Sequence, residues 1–123
     1  MRTILLALLP FAYAFRSIGV SRMSMSTAAE TAKQAIDSNA IMVFSKTYCP
    51  YCSRAKSALS DLNLKFEVYE LDVRPDGDAI QKALADLTGQ RTVPNVFVRG
   101  NHVGGCDKTL AAIADGSLQR MLK

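Results

Sequence analysis

Two cysteines, Cys49 and Cys52, enclose Pro50 and Tyr51, and a third, Cys106, stands alone far downstream. The C-x-x-C spacing serves thiol–disulfide chemistry or metal ligation. An odd, low number of cysteines does not make a secreted disulfide framework. Redox work needs a thiolate, because the thiolate is the nucleophile. A free cysteine with a pKa of about 8.5 is only a few per cent ionised at pH 7, whereas one at a helix start in such a motif reaches about 3.5–7.5. Proline is tolerated in the first turn of a helix and not further in. Pro50 therefore puts Cys49 at a helix N-terminus, where orphan N–H groups and the helix dipole favour an anion. Lys46 is expected to add positive charge from the preceding loop. Cys52 then lies about one turn in, more buried, and is placed to attack a mixed disulfide formed at Cys49.

The elements that must hold this pair are readable from periodicity. Thr27 or Ser26 caps a first helix over 28–38, with Ala29, Ala32, Ala35 and Ile36 on its apolar face. Ile41-Met42-Val43-Phe44 is apolar at every position, as suits a strand buried on both sides by helices. The cysteine loop follows over 45–50, and then a helix over 52–62 with Ala55, Ala58, Leu59 and Leu62 on one side. Alternation around Phe66, Val68 and Leu71 marks a strand over 64–71. Pro75-Asp76-Gly77 breaks the chain before a helix over 79–87, which Gly89 ends. Val96-Phe97-Val98 is a third strand, turned at Gly100-Asn101 into a short fourth strand at His102-Val103. A helical region over 109–122, interrupted near Gly116, closes the chain. The βαβ start predicts two parallel strands with a right-handed crossover; the hairpin adds an antiparallel pair.

Cys49-Pro50-Tyr51-Cys52, Thr88 to Phe97 (with Arg91-Thr92-Val93-Pro94 at its centre) and Gly104-Gly105-Cys106-Asp107 resemble, in order and spacing, the three signatures of dithiol glutaredoxins. The resemblance covers about residues 30–123. It implies an α/β thioredoxin-like fold, a central four-stranded mixed sheet flanked by helices. It implies a glutathione-dependent thiol–disulfide oxidoreductase that reduces protein–glutathione mixed disulfides and protein disulfides, with glutathione as co-substrate and no tightly bound cofactor. Cys49 and Cys52 would form the redox-active disulfide. Val93-Pro94 resembles the family's cis-proline turn, where the Val93 backbone pairs with the glutathione cysteinyl unit. Lys46 and Gln81 match positions that hold the glycine carboxylate, with Arg91 assisting, and Tyr51 flanks the tripeptide. Thr92 and Gly105 belong to the same glutathione-binding segments. Cys106 and Asp107 match positions that meet the γ-glutamyl end. Many relatives carry an acid where this chain has Lys108.

The +4 net charge is misleading as a sign of nucleic-acid binding. The first 29 residues hold Arg2, Arg16 and Arg22 and no acid, so the body is nearly neutral. Residues 1–14 read as a secretory signal: Arg2, a short apolar stretch to Phe11, and a small-x-small site at Ala12-Tyr13-Ala14. Residues 15–29 have the Arg- and Ser-rich, acid-free composition of a transit peptide. Two such signals in series resemble the bipartite leaders of complex plastids, where an aromatic residue, here Phe15, follows the first cleavage. Plastid import is the expectation, with mitochondrion, secretory pathway and cytoplasm as alternatives. No apolar run reaches the ~18 residues of a membrane span. The remaining expectations are one catalytic domain over 30–123, a monomer, no membrane or nucleic-acid partner, and glutathionylated or disulfide-containing proteins as substrates.

Other classes compete. Cys49, Cys52, Cys106 and His102 supply a Cys₃His inventory for zinc, and some glutaredoxins hold an iron–sulfur cluster across a glutathione-bridged dimer. Pro50 argues against a cluster, and no resident metal is expected. A thioredoxin would carry Trp beside Gly-Pro; this chain has no Trp and has Pro-Tyr.

Overall fold

The computed structural model describes residues 27–123; the expected leader falls outside them, save for its last three residues. Helix α1 (Ala28–Ser38) leads into strand β1 (Ile41–Ser45), helix α2 (Pro50–Asp61), strand β2 (Glu67–Glu70) and helix α3 (Gly77–Thr88). Strands β3 (Asn95–Val98) and β4 (Asn101–Gly104) follow, then helices α4 (Cys106–Ala114) and α5 (Ser117–Met121). The four strands form one mixed sheet in the order β2-β1-β3-β4. β1 runs parallel to β2, with Val43 opposite Val68, and antiparallel to β3, with Val43 opposite Val96.

β1 is buried throughout, and apolar from Ile41 to Phe44, because both faces of the sheet are covered. Side chains alternate across a strand. Met42 and Phe44 enter a core with Ala32 and Ile36 of α1 and Ile80 and Leu84 of α3. Ile41 and Val43 enter a second core with Leu59 of α2, Ala112 of α4 and Leu118 of α5. Phe44 is fully buried and meets Tyr69 and Phe97 edge to face, at 5.8 and 5.9 Å between ring centres.

The first helix opens at Ala28 and is capped by Thr27, as expected, in a reciprocal cap with Glu30, so residues 27–29, counted above with the leader, lie within the described fold. Several other boundaries differ from the sequence expectation: α2 begins at Pro50 rather than residue 52 and α4 at Cys106 rather than residue 109. β2 starts at Glu67, not residue 64, because Asn63 (φ 58°) turns the chain and the Leu64 N–H is bonded to the Leu59 carbonyl at the end of α2. The hairpin turns at Arg99-Gly100, both at positive φ (51° and 83°), and Asn101 pairs with Val98; the expected Gly100-Asn101 turn is one residue off. Such a pair of left-handed residues suits the twist of a two-residue hairpin. α3 starts at Gly77 rather than Ala79 because its first residue sits against β2's exit: a Cβ at Gly77 would lie 1.7 Å from the Leu71 carbonyl oxygen.

Candidate active site

β1 delivers the cysteine loop. It is the central strand, fully buried, and Ser45 at its end accepts the Leu71 N–H at 2.8 Å. The chain then turns tightly, with the Cys49 N–H donating to the Lys46 carbonyl at 3.1 Å. Cys49 is the N-cap of α2 and Pro50 its first residue, as Pro50 predicts. An N-cap side chain accepts from the N–H two or three residues on; here the Cys52 N–H points at Cys49 Sγ at 3.4 Å.

The two thiols are driven apart. Burial by itself raises the Cys49 pKa, but hydrogen bonds from the Cys52 thiol and from the Cys52 and Tyr51 N–H groups, with the charge of Lys56, outweigh it and leave it lowered. Burial dominates at Cys52, which is wholly inaccessible, and pushes its thiol up to about 11. One cysteine is therefore a reachable nucleophile and the other a thiol in reserve. The cation felt at Cys49 is Lys56, held in α2 by Glu70 at 2.7 Å. Lys46, expected in that role, is not among the groups that lower the Cys49 pKa, and it adds only the smallest of the influences that lower Asp72.

Asp72 is a residue that sequence reasoning missed. Its carboxylate accepts the Thr47 N–H at 3.0 Å and the Thr47 hydroxyl, which locks the loop two residues before Cys49. The Thr47 hydroxyl bond outweighs desolvation and holds the Asp72 pKa below its ordinary value.

The opposite wall is the cis peptide Val93–Pro94, with the Val93 carbonyl 3.8 Å from Cys49 Sγ. Gln90, also missed, braces it: its side-chain amide donates to the carbonyls of Thr92 at 2.9 Å and Pro94 at 2.8 Å. Gly105 packs beside this brace, since a Cβ there would lie 3.7 Å from the Pro94 oxygen and 3.8 Å from the Gln90 amide nitrogen.

A cavity of about 500 Å³ opens along this wall. Tyr51, Thr92, Val93, Pro94, Gly105, Cys106 and Asp107, seven of the expected glutathione contacts, line it together with Gln90 and Lys108. Gln81 and Arg91 line a separate recess of about 370 Å³, where the Gln81 amide donates to the Arg91 carbonyl at 2.9 Å. Lys46 lines neither. The cap of α4 is Gly105, and Asp107 is the helix's second residue. No side chain caps this helix, so its first N–H groups are free beside the cavity. Cys106 is buried, and desolvation raises its pKa, so it is a poor nucleophile.

The Cys₃His inventory does not assemble. His102 is bonded to Asn95, with Nε2 and Oδ1 2.8 Å apart, and among the described residues no three His, Cys, Asp or Glu side chains cluster to hold a metal. Also among the described residues, no helix is long and apolar enough to cross a membrane.

Comparison with known proteins agrees with this geometry. The glutaredoxin family model matches residues 41–103. The chain is 56% identical over 90 residues to a glutaredoxin of Ricinus communis, covering 73% of this chain and 88% of the relative. It is 50% identical over 95 residues to "Glutaredoxin-C4, chloroplastic" of Oryza sativa subsp. japonica, covering 77% and 71%. A crystal structure of a buckwheat glutaredoxin–glutathione complex superposes with a TM-score of 0.75 at 53% identity, covering 77% of this chain and 86% of that one. With a four-stranded mixed sheet between helices and a cysteine pair facing a cis-proline wall, the chain belongs to the glutaredoxin family, the glutathione-dependent thiol oxidoreductases.

Proposed function

We propose that this protein reduces glutathione mixed disulfides through Cys49 alone and protein disulfides through Cys49 and Cys52 together. The observation that carries the reading is the split between the thiols: Cys49 lowered at a helix cap, Cys52 buried and raised behind it. In the first route the Cys49 thiolate attacks the glutathione sulfur of a protein–glutathione disulfide. The protein sulfur leaves and takes up a proton, and glutathione stays on Cys49. A second glutathione thiolate attacks that bound glutathione sulfur, which releases oxidised glutathione and restores the Cys49 thiolate. In the second route the Cys49 thiolate attacks one sulfur of the target disulfide, the S–S bond breaks, and the other target sulfur leaves and takes up a proton. Cys52 loses its proton and attacks Cys49 Sγ, and the target leaves as a dithiol.

The relative solved with glutathione supports placing the tripeptide in the 500 Å³ cavity. There the Val93 backbone would run beside its cysteinyl unit in the manner of an added strand, and the start of α4 would receive the γ-glutamyl end. Lys46, Gln81 and Arg91 are read as the side that meets the glycine carboxylate. The relative named chloroplastic supports plastid delivery by the N-terminal segment.

The test is turnover of a glutathionylated peptide and of a protein disulfide by the full chain, beside Cys49→Ser and Cys52→Ser. Cys49→Ser is expected to be inactive on both. Cys52→Ser is expected to keep the first activity and lose the second. An active Cys49→Ser overturns the assignment.

A further inference from the structure

The cavity has one cation in its wall that no expected glutathione contact accounts for. Lys108 lines it immediately after Asp107. The long stem of Lys108 lies on Gly104: a Cβ at Gly104 would come within 2.9 Å of Lys108 Cδ, 3.3 Å of its Cβ and 3.5 Å of its Cγ. Gly104 also adopts φ +126°, a conformation that L side chains rarely take. The end of β4 is therefore bare where the lysine stem crosses it, and the stem is laid along the cavity edge.

The position is electrostatically awkward for a lysine. Lys108 is the third residue of α4, inside the first turn, where the helix dipole opposes a cation. It takes part in none of the three ion pairs found among the described residues, which join Lys56 to Glu70, Arg74 to Asp76 and Lys82 to Asp86. A cavity edge that presents a carboxylate and an ammonium on successive residues matches a ligand end carrying both charges. The γ-glutamyl end of glutathione is such a group, an α-amino acid zwitterion with an ammonium and a carboxylate on one carbon.

We infer that Lys108 is a specificity residue for the γ-glutamyl α-carboxylate, working beside Asp107, which faces the α-ammonium. This rests on the glutathione reading of the cavity. An acid at position 108 would repel that carboxylate, whereas the Lys108 ammonium attracts it.

The experiment uses the full chain and one peptide thiol capped three ways by a disulfide: with glutathione, with its analogue lacking the α-carboxylate (γ-aminobutyryl-cysteinyl-glycine), and with cysteamine. The readout is kcat/KM for peptide release. For wild type, glutathione is expected to exceed the decarboxylated analogue about ten-fold, the scale of one charge-assisted contact at a partly wet site. Lys108→Gln should lower the glutathione value about five- to ten-fold, leave the analogue unchanged, and so close the gap. Lys108→Arg should keep it. Equal losses on both caps, or no loss on either, overturn the role of Lys108. A wild type that handles all three caps alike overturns the glutathione reading of the cavity as well. Cys49 alkylation, run on each variant, separates a misfolded protein from an altered specificity.

Discussion

The sulfur of Cys49 and the backbone nitrogen of Cys52 are 3.4 Å apart, so the motif's second cysteine stabilises the first through its main chain. Cys52→Ser keeps that N–H. Its Cys49 should still titrate below the ordinary thiol range, apart from the share contributed by the Cys52 side chain. Alkylation with iodoacetamide across pH is the measurement. A Cys52→Ser protein whose Cys49 titrates like a free thiol would show that the cap geometry does not activate it.

Lys56 makes a related prediction. Its charge favours the Cys49 thiolate, and Glu70 fixes its place. Lys56→Met should raise the Cys49 pKa, shifting the alkylation profile to higher pH without changing its plateau. The effect is expected to be small, since Lys56 is the weakest of the influences that favour the thiolate and acts through a partly solvated region.

The Thr47–Asp72 clamp gives a pH signature. The folded-state pKa of Asp72 is depressed, so its contribution to stability is complete above the unfolded value of about 3.9 and is lost as pH falls through the lower folded value. The Tm gap between wild type and Asp72→Ala should therefore be constant near neutrality and narrow in acid. A gap that widens on acidification would contradict the clamp. The substitution should also slow turnover at neutral pH, because Thr47 sets the loop entering Cys49.

Gln90→Ala removes the donor to two carbonyls of the cis-proline wall. It should cost about 1–3 kcal/mol in stability by urea unfolding and raise KM for glutathionylated peptide more than it lowers kcat. Unchanged KM would mean that the wall holds its shape without the brace.

Gly77→Ala tests the packing of α3 on the exit of β2. The added Cβ would overlap the Leu71 carbonyl, a backbone atom that cannot step aside alone. We expect a loss of about 3 kcal/mol or more, or failure to accumulate. Gly89→Ala, with φ +81° but nothing within 4 Å of its Cβ position, should cost less, about 1 kcal/mol.

Sequence alone reaches the parts of this molecule that are local. The four-residue apolar run Ile41 to Phe44 gave away a two-faced sheet, and Pro50 fixed the helix start, because both follow from period and backbone chemistry. Tertiary partnerships left no such trace. Asp72 lies 25 residues from Thr47, in a turn where an aspartate needs no special reason. Lys56 was one polar position on a helix face until β2 placed Glu70 beside it. Gln90 read as part of a loop, although its two carbonyl partners lie within four residues. The one-residue error at the hairpin has a similar source. Gly100-Asn101 is a good turn dipeptide by composition, but the pairing of Val98 with Asn101 set the turn at Arg99-Gly100.

The position of β1 in the sheet has a consequence for amide exchange with solvent. It is bonded along both edges and all five of its residues are buried, so its amides should exchange only when the whole domain opens. β4, which leads to the cavity's Gly105–Lys108 wall, is an outer strand with exposed Asn101 and His102, and its amides should exchange sooner. Cys49 thus follows directly on the strand whose amides should exchange last, while the cavity's Gly105–Lys108 wall follows a strand whose amides should exchange sooner.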